Sequence, residues 1–479
     1  MAVPDPLRKF LDESFGRMKR DLRELISVPS VTDDRIQTER ALDTLLKQGT
    51  RLGLRTEKIL GGRMGIIETG DGPETIGILT HVDVVPPGPA ALWSFGPYDG
   101  TEDGGWLYGR GSVDAKGPTI ASLYAMAAAA ACAPPRKRMR MIVGTQEEGV
   151  WEDMEAYCRS YPLPDYGFTP DGEFPVTNRE KGYADVRILF PLTGGKEEDE
   201  RGSLVLSLHG GESVNTIPEA CQAVLLDPNG GISARIEAAR AEEQAAPGVW
   251  VGSAKDRDRV ILSVTGKATH SSNPENGSNA VSAMAALLAA VLPAEDSSFP
   301  LCRFMALNFH GDTSGKALGL SGLPAPPEDE DFGQTAVSPT LLRTTNGGFE
   351  LVVNLRTAYG TTRALIHERF SSCAERYGFS FGIFNYQDPL LVDRTRPFMG
   401  ILNESYSEIS GFPGGFILAN GTSYAKAMPG IVCWGPLFPG EEDRCHEADE
   451  RIRLDNFKLA GMIYGDALYR IACSPASCK

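Results

Sequence analysis

The chain has 479 residues, which is more than one ordinary hydrophobic core organises, so we expect two domains or one domain with a large insertion. Hydrophobic residues make up 42% of it and charged residues 23%, as is typical of globular proteins. The 63 acidic and 47 basic residues give a formal net charge of −16, which repels phosphate backbones and argues against a nucleic-acid partner. No apolar run approaches about 18 residues, so we expect no membrane span.

The N-terminal segment has the pattern of an amphipathic helix and not that of a secretory signal. Apolar residues recur at three- and four-residue steps from Leu7 to Leu25. The nine cysteines are scattered, without a CxxC pair or a dense framework. We therefore expect reduced thiols and a cytoplasmic protein.

The first part of the chain, residues 1–181, alternates between helical and extended patterns. Short apolar runs at residues 76–80 and 139–144 are typical of buried parallel strands. Between them, residues 117–133 are rich in alanine, and Pro118 stands where we expect the helix to begin. Strand, helix and strand in this order predict a doubly wound α/β unit.

The pattern changes after residue 181. We predict amphipathic strands at residues 184–190, 204–209, 259–265 and 348–356, and Ala-rich helices at residues 232–245, 280–292 and 362–377. Runs typical of buried strands return at residues 415–418 and 431–434. We therefore predict an α/β domain with a mixed, mainly parallel sheet over residues 1–181 and 389–479, interrupted by an α+β domain over residues 182–388.

A histidine and a carboxylate follow the first buried strand. His81 and Asp83 are two residues apart, so on an extended segment both side chains face the same way. The carboxyl ends of strands are where open α/β sheets place their ligands. A capped strand end with a satisfied histidine remains the alternative at this point.

A second carboxylate stands among glycines. Gly109, Gly111 and Gly117 allow sharp turns around Asp114, which comes just before the helix expected at Pro118. The positive end of that helix favours an anion. The alternative is that Asp114 is only the N-cap of the helix.

Two adjacent carboxylates follow the second buried strand. The side chains of Glu147 and Glu148 diverge, so one can bind a metal ion while the other stands over a bound water. Hydrolysis needs this arrangement, because the ion lowers the pKa of the water and the free carboxylate takes its proton. A solvated acidic loop is the alternative.

Asp171, in the segment Phe-Thr-Pro-Asp-Gly, and His446, in Asp-Arg-Cys-His-Glu, complete the set of candidate ligands. Two histidines with several carboxylates suit Zn²⁺, Mn²⁺ or Co²⁺. One shared carboxylate, with one histidine and one carboxylate for each ion, accounts for five ligands. Two ions about 3.5–4 Å apart can bind one water and polarise a carbonyl group together.

In their order and spacing, these segments resemble the aminoacylase, acetylornithine deacetylase and carboxypeptidase G family of dinuclear metallohydrolases, and within it the PepV-type dipeptidases. The resemblance runs from Leu-Ile-Ser-Val-Pro-Ser-Val, which begins at Leu25, to the acidic tail that ends at Glu450. It implies a catalytic α/β domain and a lid domain of two ferredoxin-like halves. It also implies a dipeptidase, with a deacylase of N-acyl amino acids or an aminopeptidase as the alternative.

The resemblance implies two divalent metal ions, which we expect to be Zn²⁺, with Mn²⁺ and Co²⁺ as alternatives. The ligands it implies are His81 and Asp171 on one ion, Glu148 and His446 on the other, and Asp114 as the bridge. Asp83 would hold the imidazole of His81, as metal-bound histidines usually require. Glu147 would be the general base.

Three segments of the insertion resemble the family's lid motifs. By this resemblance, Asn215 and His270 would reach the substrate carbonyl, and Arg356 would bind the substrate carboxylate. Arg suits that task because its fork pairs with a carboxylate through two hydrogen bonds. The loop that contains Gly421, Thr422 and Ser423 resembles a Gly-Gly-Thr-Tyr loop of the substrate pocket, although Asn420 replaces the first glycine and Ser423 is added.

The partners that we expect are small peptides. Dimeric relatives, as the resemblance implies, have a lid about half this size and take one active-site histidine from the partner subunit. A doubled lid can supply His270 from its own chain, so we expect a monomer.

Two alternatives lie outside this family. Ser423, in a segment like a nucleophile elbow, could serve a serine hydrolase with Asp443 and His446. The chain could also be a metal-dependent binding protein without activity, although Glu147 would then have no role. His209, His310 and His367 have no ligand-type neighbours in the sequence, so we expect them to be structural.

Overall fold

The computed structural model describes residues 3–192, 204–243, 248–321, 332, 334–475 and 477–479. They form two compact units. The first unit contains residues 1–179, 391–419 and 423–479, and the second contains residues 180–390 and 420–422.

Up to residue 181 the chain forms four helices and nine strands in the described residues. The helices are α1 (Asp5–Ile26), α2 (Arg35–Arg51), α3 (Lys116–Cys132) and α4 (Glu152–Ser160). The strands are β1 (Arg55–Ile59), β2 (Met64–Thr69), β3 (Thr75–His81), β4 (Thr101–Asp103), β5 (Trp106–Tyr108), β6 (Arg138–Gly144), β7 (Tyr166–Thr169), β8 (Gly172–Glu173) and β9 (Val176–Glu180).

The second unit follows with the strands β10 (Gly182–Pro191), β11 (Val205–Gly210), β12 (Ala220–Leu226), β13 (Trp250–Asp256), β14 (Arg259–Thr265), β15 (Ala336–Thr345), β16 (Gly348–Thr357) and β17 (Ser380–Gln387). Its helices are α5 (Gly231–Glu243), α6 (Ala280–Val291), α7 (Phe299–Asn308) and α8 (Arg363–Tyr377). The last two residues of the helix predicted at 232–245 lie outside the described part of the chain.

The chain then adds the strands β18 (Leu390–Leu391), β19 (Phe416–Ala419), β20 (Ile431–Trp434), β21 (Pro436–Leu437) and β22 (Arg451–Arg453), with the helices α9 (Pro397–Ser410) and α10 (Leu454–Ala472). The central sheet of the first unit has the order β1-β2-β6-β3-β7-β20-β9-β18, and β19 also pairs with β9. Strands β6, β3, β7 and β20 are parallel, whereas β1, β2 and β9 pair antiparallel. The predicted mixed sheet is confirmed, with its parallel pairing in the centre.

Helix α3 lies at the centre of the first unit. It is apolar on all sides, as a helix buried between other elements must be, and it packs against α1 and α10. The prediction that Pro118 opens this helix is wrong by two residues. The amides of Lys116 and Gly117 both donate to the carbonyl oxygen of Gly111, at 2.8 and 3.2 Å, and this tight turn starts the helix at Lys116. Pro118 is still tolerated, because amides in the first turn have no acceptor within the helix.

The second unit is built on one antiparallel sheet of eight strands, in the order β13-β14-β12-β11-β15-β16-β10-β17. Side chains alternate across it. On β10, Ala184, Val186 and Ile188 join the hydrophobic core, which includes residues of all four helices of this unit. Tyr183 and Asp185 lie on the other face, which is the polar face of the sheet.

The C-terminal residues are anchored by one buried carboxylate, Glu74. It accepts hydrogen bonds from the amide of Cys478 at 3.1 Å, the hydroxyl of Ser477 at 2.9 Å and the hydroxyl of Tyr166, and it pairs with Lys137 at 3.1 Å. Burial alone raises the pKa of Glu74, but these donors outweigh it and lower the pKa to about 2.

None of the nine cysteines, all of which lie in described segments, forms a disulfide. Within the described residues, no helix combines the length and the apolar character that crossing a membrane requires.

Candidate metal centre

Three neighbouring strands bring the candidate ligands of the first unit to one edge of the sheet. His81 is the last residue of β3 and lies opposite Gly144, the last residue of β6. The two glutamates follow β6, and Asp171 follows β7, the other neighbour of β3. Because β3, β6 and β7 are parallel, their carboxyl ends meet.

The imidazole of His81 is fully buried, and a contact at its Nδ1 atom fixes the orientation of the ring. That nitrogen lies 3.0 Å from the backbone oxygen of Asp83, which assigns the ring proton to Nδ1 and leaves a lone pair on Nε2. Nε2 lies 3.1 Å from an oxygen of Asp114 and 3.7 Å from one of Asp171, yet it forms no hydrogen bond with any described residue. A lone pair surrounded by carboxylate oxygens is suited to a cation.

Asp114 lies between the two histidines. Its Oδ1 atom is 3.1 Å from Nε2 of His81, and its Oδ2 atom is 3.0 Å from Nε2 of His446. The N-cap alternative is wrong, because Ala115 holds that position and no side chain caps the helix. Its two oxygens therefore face the two histidines, one on each side.

Asp83 holds the loop that contains the two glutamates. Its carboxylate accepts the backbone amides of Glu147 and Glu148, both at 3.2 Å, and the hydroxyl of Thr32 at 2.9 Å. The same carboxylate lies 3.4 Å from Nδ1 of His81, slightly farther than its own backbone oxygen. Asp83 thus links the histidine of one ligand group to the glutamates.

The two glutamates have different surroundings. Oε1 of Glu148 lies 3.0 Å from Nε2 of His446. Oε1 of Glu147 is buried and has no hydrogen-bond partner among the described residues. Glu148 therefore has a histidine partner, whereas Oε1 of Glu147 has none within the described residues.

The carboxylates repel one another. Burial, followed by the charge of Asp171, raises the pKa of Glu147 well above its usual range. Burial and the charge of Asp114 raise the pKa of Glu148 to about 7, although His446 opposes this shift. Hydrogen bonds to Asp114 and Glu148 raise the pKa of His446 to about 11. A divalent cation would relieve this repulsion.

The residues fit a pair of divalent cations. Ligand-type atoms within 4.8 Å of one another form two groups, one of His81, Glu147 and Asp171 and one of Asp114, Glu148 and His446. Three buried atoms of these groups lack hydrogen-bond partners in the described chain, namely His81 Nε2, Asp114 Oδ1 and Glu147 Oε1. Imidazole nitrogens with carboxylate oxygens suit Zn²⁺, Mn²⁺ and Co²⁺. Because Glu147 belongs to the first group, its carboxylate could also contact an ion held there.

Sequence reasoning missed the residue that shapes the Asp114 loop, which is the buried Glu450. Its carboxylate accepts the amides of Gly111 and Val113, both at 2.9 Å, and that of Asp114 at 3.2 Å. It also pairs with Arg110 at 2.7 Å. Two features of the sequence could have indicated this contact. Arg110 stands between Gly109 and Gly111, and Glu450 follows His446 by four residues in an acidic segment.

Two predicted substrate residues of the second unit lie side by side. The amide of Ser271 donates to the carbonyl oxygen of Asn215 at 2.8 Å, and Thr216 pairs with His270 in a short antiparallel bridge. The side chains of Asn215 and His270 are exposed. Nδ1 of His270 lies 2.6 Å from the hydroxyl of Ser272, which orients the ring.

Arg356 lies on β16 and is only 5% exposed. Its guanidinium carbon is 4.6 Å from the ring centre of Tyr183. No described residue forms an ion pair or a hydrogen bond with the guanidinium, and its Nε atom is buried without a partner. Burial lowers the pKa of Arg356, and Tyr183 and Asp185 oppose that shift.

The predicted pocket loop divides between the two units. Thr422 belongs to the second unit, where its hydroxyl donates to Oε1 of Gln387 at 2.5 Å. Gly421 is exposed, with open space where a Cβ would lie. Ser423 belongs to the first unit, and its hydroxyl accepts the amide of Ala425 at 3.2 Å.

A serine triad is not assembled in the described residues. Nε2 of His446 contacts Asp114 and Glu148, and Asp443 accepts the amide of Cys445 at 2.9 Å. The remaining histidines are His209, His310 and His367, which are exposed and belong to neither ligand group.

Comparisons with known proteins support the same chemistry. The model of peptidase family M20/M25/M40 matches residues 77–470. "Putative dipeptidase YtjP" of Bacillus subtilis (strain 168) is 32% identical over 466 residues, which cover 95% of this chain and 96% of that protein. "Putative dipeptidase SH1171" of Staphylococcus haemolyticus is 27% identical and covers 96% and 98% of the two chains.

Two solved structures have a similar fold. Human carnosine dipeptidase 1 superposes with a TM-score of 0.59 at 13% identity, over 99% of this chain and 100% of the other. The dipeptidase Dug1p from Saccharomyces cerevisiae gives a TM-score of 0.57 at 13% identity, over 98% and 99% of the two chains. The matched family model and the Bacillus relative, together with the paired ligand groups, lead to one conclusion: this chain belongs to peptidase family M20/M25/M40, and it is a divalent-metal hydrolase that acts on peptide bonds.

Proposed function

We propose that this enzyme is a dipeptidase with two Zn²⁺ ions, for which Mn²⁺ or Co²⁺ can substitute. The observation that carries the proposal is the pair of ligand groups on either side of Asp114, beside Oε1 of Glu147, which has no hydrogen-bond partner among the described residues. His81 and Asp171 would hold one ion, Glu148 and His446 the other, and Asp114 both. The dipeptidase names of the relatives from Bacillus and Staphylococcus agree with it.

Bound divalent ions supply a lowered pKa for a coordinated water and polarisation of the scissile carbonyl. The chain's own residues handle the proton. Oε1 of Glu147 has no hydrogen-bond partner in the described residues, so it can accept a proton from the attacking water and return it to the leaving nitrogen. Asp83 accepts a hydrogen bond from the backbone amide of Glu147 at 3.2 Å and thereby fixes the backbone position from which the Glu147 side chain extends.

We infer that two groups of this chain would each hold one end of the substrate. The excess of carboxylates around Asp171 favours a free substrate ammonium. Arg356 is buried without a carboxylate partner among the described residues, so it can bind the free carboxylate of the substrate. An added residue moves that carboxylate by about 3.3–3.6 Å, beyond the reach of a fixed arginine. Asn215 and His270 would contact the carbonyl, and the loop of Gly421, Thr422 and Ser423 would line the pocket.

A matched substrate series tests this proposal. We would measure kcat/KM for Ala-Ala, Ala-Ala-amide, N-acetyl-Ala-Ala and Ala-Ala-Ala with Zn²⁺ or Mn²⁺ present. Ala-Ala should exceed each of the others by about a hundredfold or more, because a buried charge left without its partner costs several kcal/mol. Equal turnover of N-acetyl-Ala-Ala would make the enzyme a deacylase, and equal turnover of Ala-Ala-Ala would make it an aminopeptidase.

We also propose that the enzyme is an active monomer in the cytoplasm. The size of the second unit supports the first statement, because a lid of this size could supply His270 from its own chain. The absence of disulfides among the nine cysteines supports the second. Light scattering that shows an obligate dimer would contradict the monomer.

A further inference from the structure

Four polar side chains share one face of the second unit's sheet. In the antiparallel pairing of β10 with β16, Tyr183 lies opposite Arg356, and Asp185 lies opposite Asn354. Residues that lie opposite each other point to the same face, and so do residues two apart on one strand. The register of two strands therefore places these four side chains together.

Arg356 is unusual among them because its charge is buried and no described residue serves as its counterion. Its side chain contacts the ring of Tyr183, with 4.6 Å between the guanidinium carbon and the ring centre. An aromatic face attracts a cation but takes none of its N–H donors. The ring thus stabilises the guanidinium and leaves its fork available.

Asp185 lies on the same face as Arg356, and its charge stabilises the guanidinium without forming an ion pair with it. Its carboxylate accepts hydrogen bonds from three neutral donors, namely the hydroxyl of Tyr183 at 2.8 Å and the side-chain Nδ2 atoms of Asn354 at 2.9 Å and Asn385 at 3.0 Å. Asn385 reaches it from β17, where a register shift lies between Tyr183 and Asp185. Neutral donors thus take three of about four acceptor positions of Asp185, and no ion pair joins this carboxylate to Arg356.

The same network extends to the loop with the predicted carbonyl-binding residues. The hydroxyl of Ser271 donates to Oδ1 of Asn354 at 2.9 Å, and the amide of Ser271 donates to the carbonyl oxygen of Asn215 at 2.8 Å. Ser271 directly follows His270. A continuous chain of hydrogen bonds therefore runs from this loop to Asp185 and Tyr183.

We propose that Tyr183 and Asp185 are positioning residues that hold the guanidinium of Arg356 in place, with its N–H donors free for the terminal carboxylate of a peptide. Tyr183 acts through its ring, and Asp185 acts by fixing that ring and by its own unshared charge. They set the preference for a free carboxylate over an amide. This inference rests on the proposed function of Arg356.

The test compares Ala-Ala with Ala-Ala-amide on the metal-loaded enzyme. Tyr183→Leu removes the ring and should reduce kcat/KM for Ala-Ala by about 3- to 30-fold, mainly through KM, while Ala-Ala-amide changes less than about twofold. Asp185→Asn should act in the same direction. Tyr183→Phe keeps the ring but loses the hydroxyl, so its effect should be smaller than that of Tyr183→Leu.

A matched control lies on the same strand. Arg187 stacks on Phe384 with 5.2 Å between the guanidinium carbon and the ring centre, but Arg187 is exposed and pairs with Glu350 at 3.1 Å. Phe384→Leu therefore removes an aromatic ring from beneath an arginine that has its own counterion. This variant should keep the wild-type preference for the free carboxylate.

A double variant shows whether Tyr183 acts through Arg356. Arg356→Ala should abolish the preference for the acid, and adding Tyr183→Leu to it should cause no further loss on Ala-Ala. If Arg356→Ala abolishes the preference but Tyr183→Leu and Asp185→Asn keep it, our inference is overturned and the proposed function stands. If Arg356→Ala itself keeps the preference, the proposed role of Arg356 fails. If Tyr183→Leu does not fold, Tyr183→Phe and Asp185→Asn decide the matter.

Discussion

The two adjacent glutamates provide a sharp test of the site, because a one-atom change in each should have a different consequence. Glu147→Gln keeps the side chain's shape and leaves the backbone amide on Asp83 at 3.2 Å. Oε1 of Glu147 has no hydrogen bond to lose within the described residues. The loss is therefore restricted to proton transfer, about 10²- to 10⁴-fold in kcat, or about 3–5 kcal/mol in the barrier.

Glu148→Gln removes a carboxylate oxygen that lies 3.0 Å from Nε2 of His446. His446 keeps its contact with Asp114 at 3.0 Å, so the histidine stays in place. The ligand group that contains both residues loses the negative charge of Glu148. We expect metal affinity to fall by about 100-fold or more, since even mutation of a residue that only hydrogen-bonds to a metal ligand lowers the affinity about 10- to 100-fold. Activity should return partly with excess metal, which Glu147→Gln should not show.

The assay is metal content by plasma mass spectrometry after gel filtration, with kcat for Ala-Ala measured over a range of Zn²⁺. Glu152→Gln serves as the control, because it neutralises an exposed carboxylate a few residues away at the start of α4. Equal metal loss in the Glu147 and Glu148 variants would make Glu147 a ligand, as its grouping with His81 also allows. A Glu147→Gln enzyme with more than about a tenth of wild-type kcat would refute its role as the base.

Three further outcomes follow from the structure. Glu450→Gln should lower the free energy of unfolding in urea titrations by about 3–5 kcal/mol, because Arg110 would remain buried without its partner. The same variant should weaken metal binding at Asp114. An unchanged urea midpoint would contradict the stability prediction. The pKa of Glu74 is lowered to about 2, below its ordinary value near 4.5, so its stabilisation is present above pH 4.5 and is lost as the pH falls towards 2. The stability difference between wild type and Glu74→Gln should therefore shrink from pH 6 to pH 3, and a constant difference would refute it. Mixing inactive His270→Ala and Glu147→Gln chains should restore no activity, whereas recovery would show that subunits share a site.

The positions of three residues of the candidate site could be predicted because each follows a strand that is recognisable in the sequence. His81, Glu147 and Glu148 come after the short apolar runs at residues 76–80 and 139–144, and parallel strands place their carboxyl ends together. The distances, the repulsion among these carboxylates and the absence of a described hydrogen-bond partner for Oε1 of Glu147 depend on the tertiary packing.

The surroundings of Asp114 could not be predicted in the same way. The groups that shape its loop are backbone amides, and their acceptor, Glu450, lies 339 residues from Gly111 in the sequence. Local patterns report neither feature. The start of α3 at Lys116 was missed for a related reason, since the turn that begins it is closed by the carbonyl oxygen of Gly111.

Some features of the second unit could not be predicted from local sequence patterns. Strand β13 lies at an edge of its sheet, and Val251 is its only buried residue, so the sequence shows no clear alternation. The role of Asp185 was equally hidden, because it depends on Asn385 at a register shift on the neighbouring strand. An isolated aspartate on a strand predicts nothing about which donors meet it.

We propose that two divalent ions, held by the ligand groups of His81 and His446, make this chain a dipeptidase. The most direct measurement is hydrolysis of Ala-Ala during a Zn²⁺ titration of the chelator-treated enzyme, with bound metal counted at each step. We predict no activity without metal, and full activity when two ions are bound per chain. Activity that survives complete removal of metal, or that saturates with one ion bound, would contradict the two-metal site.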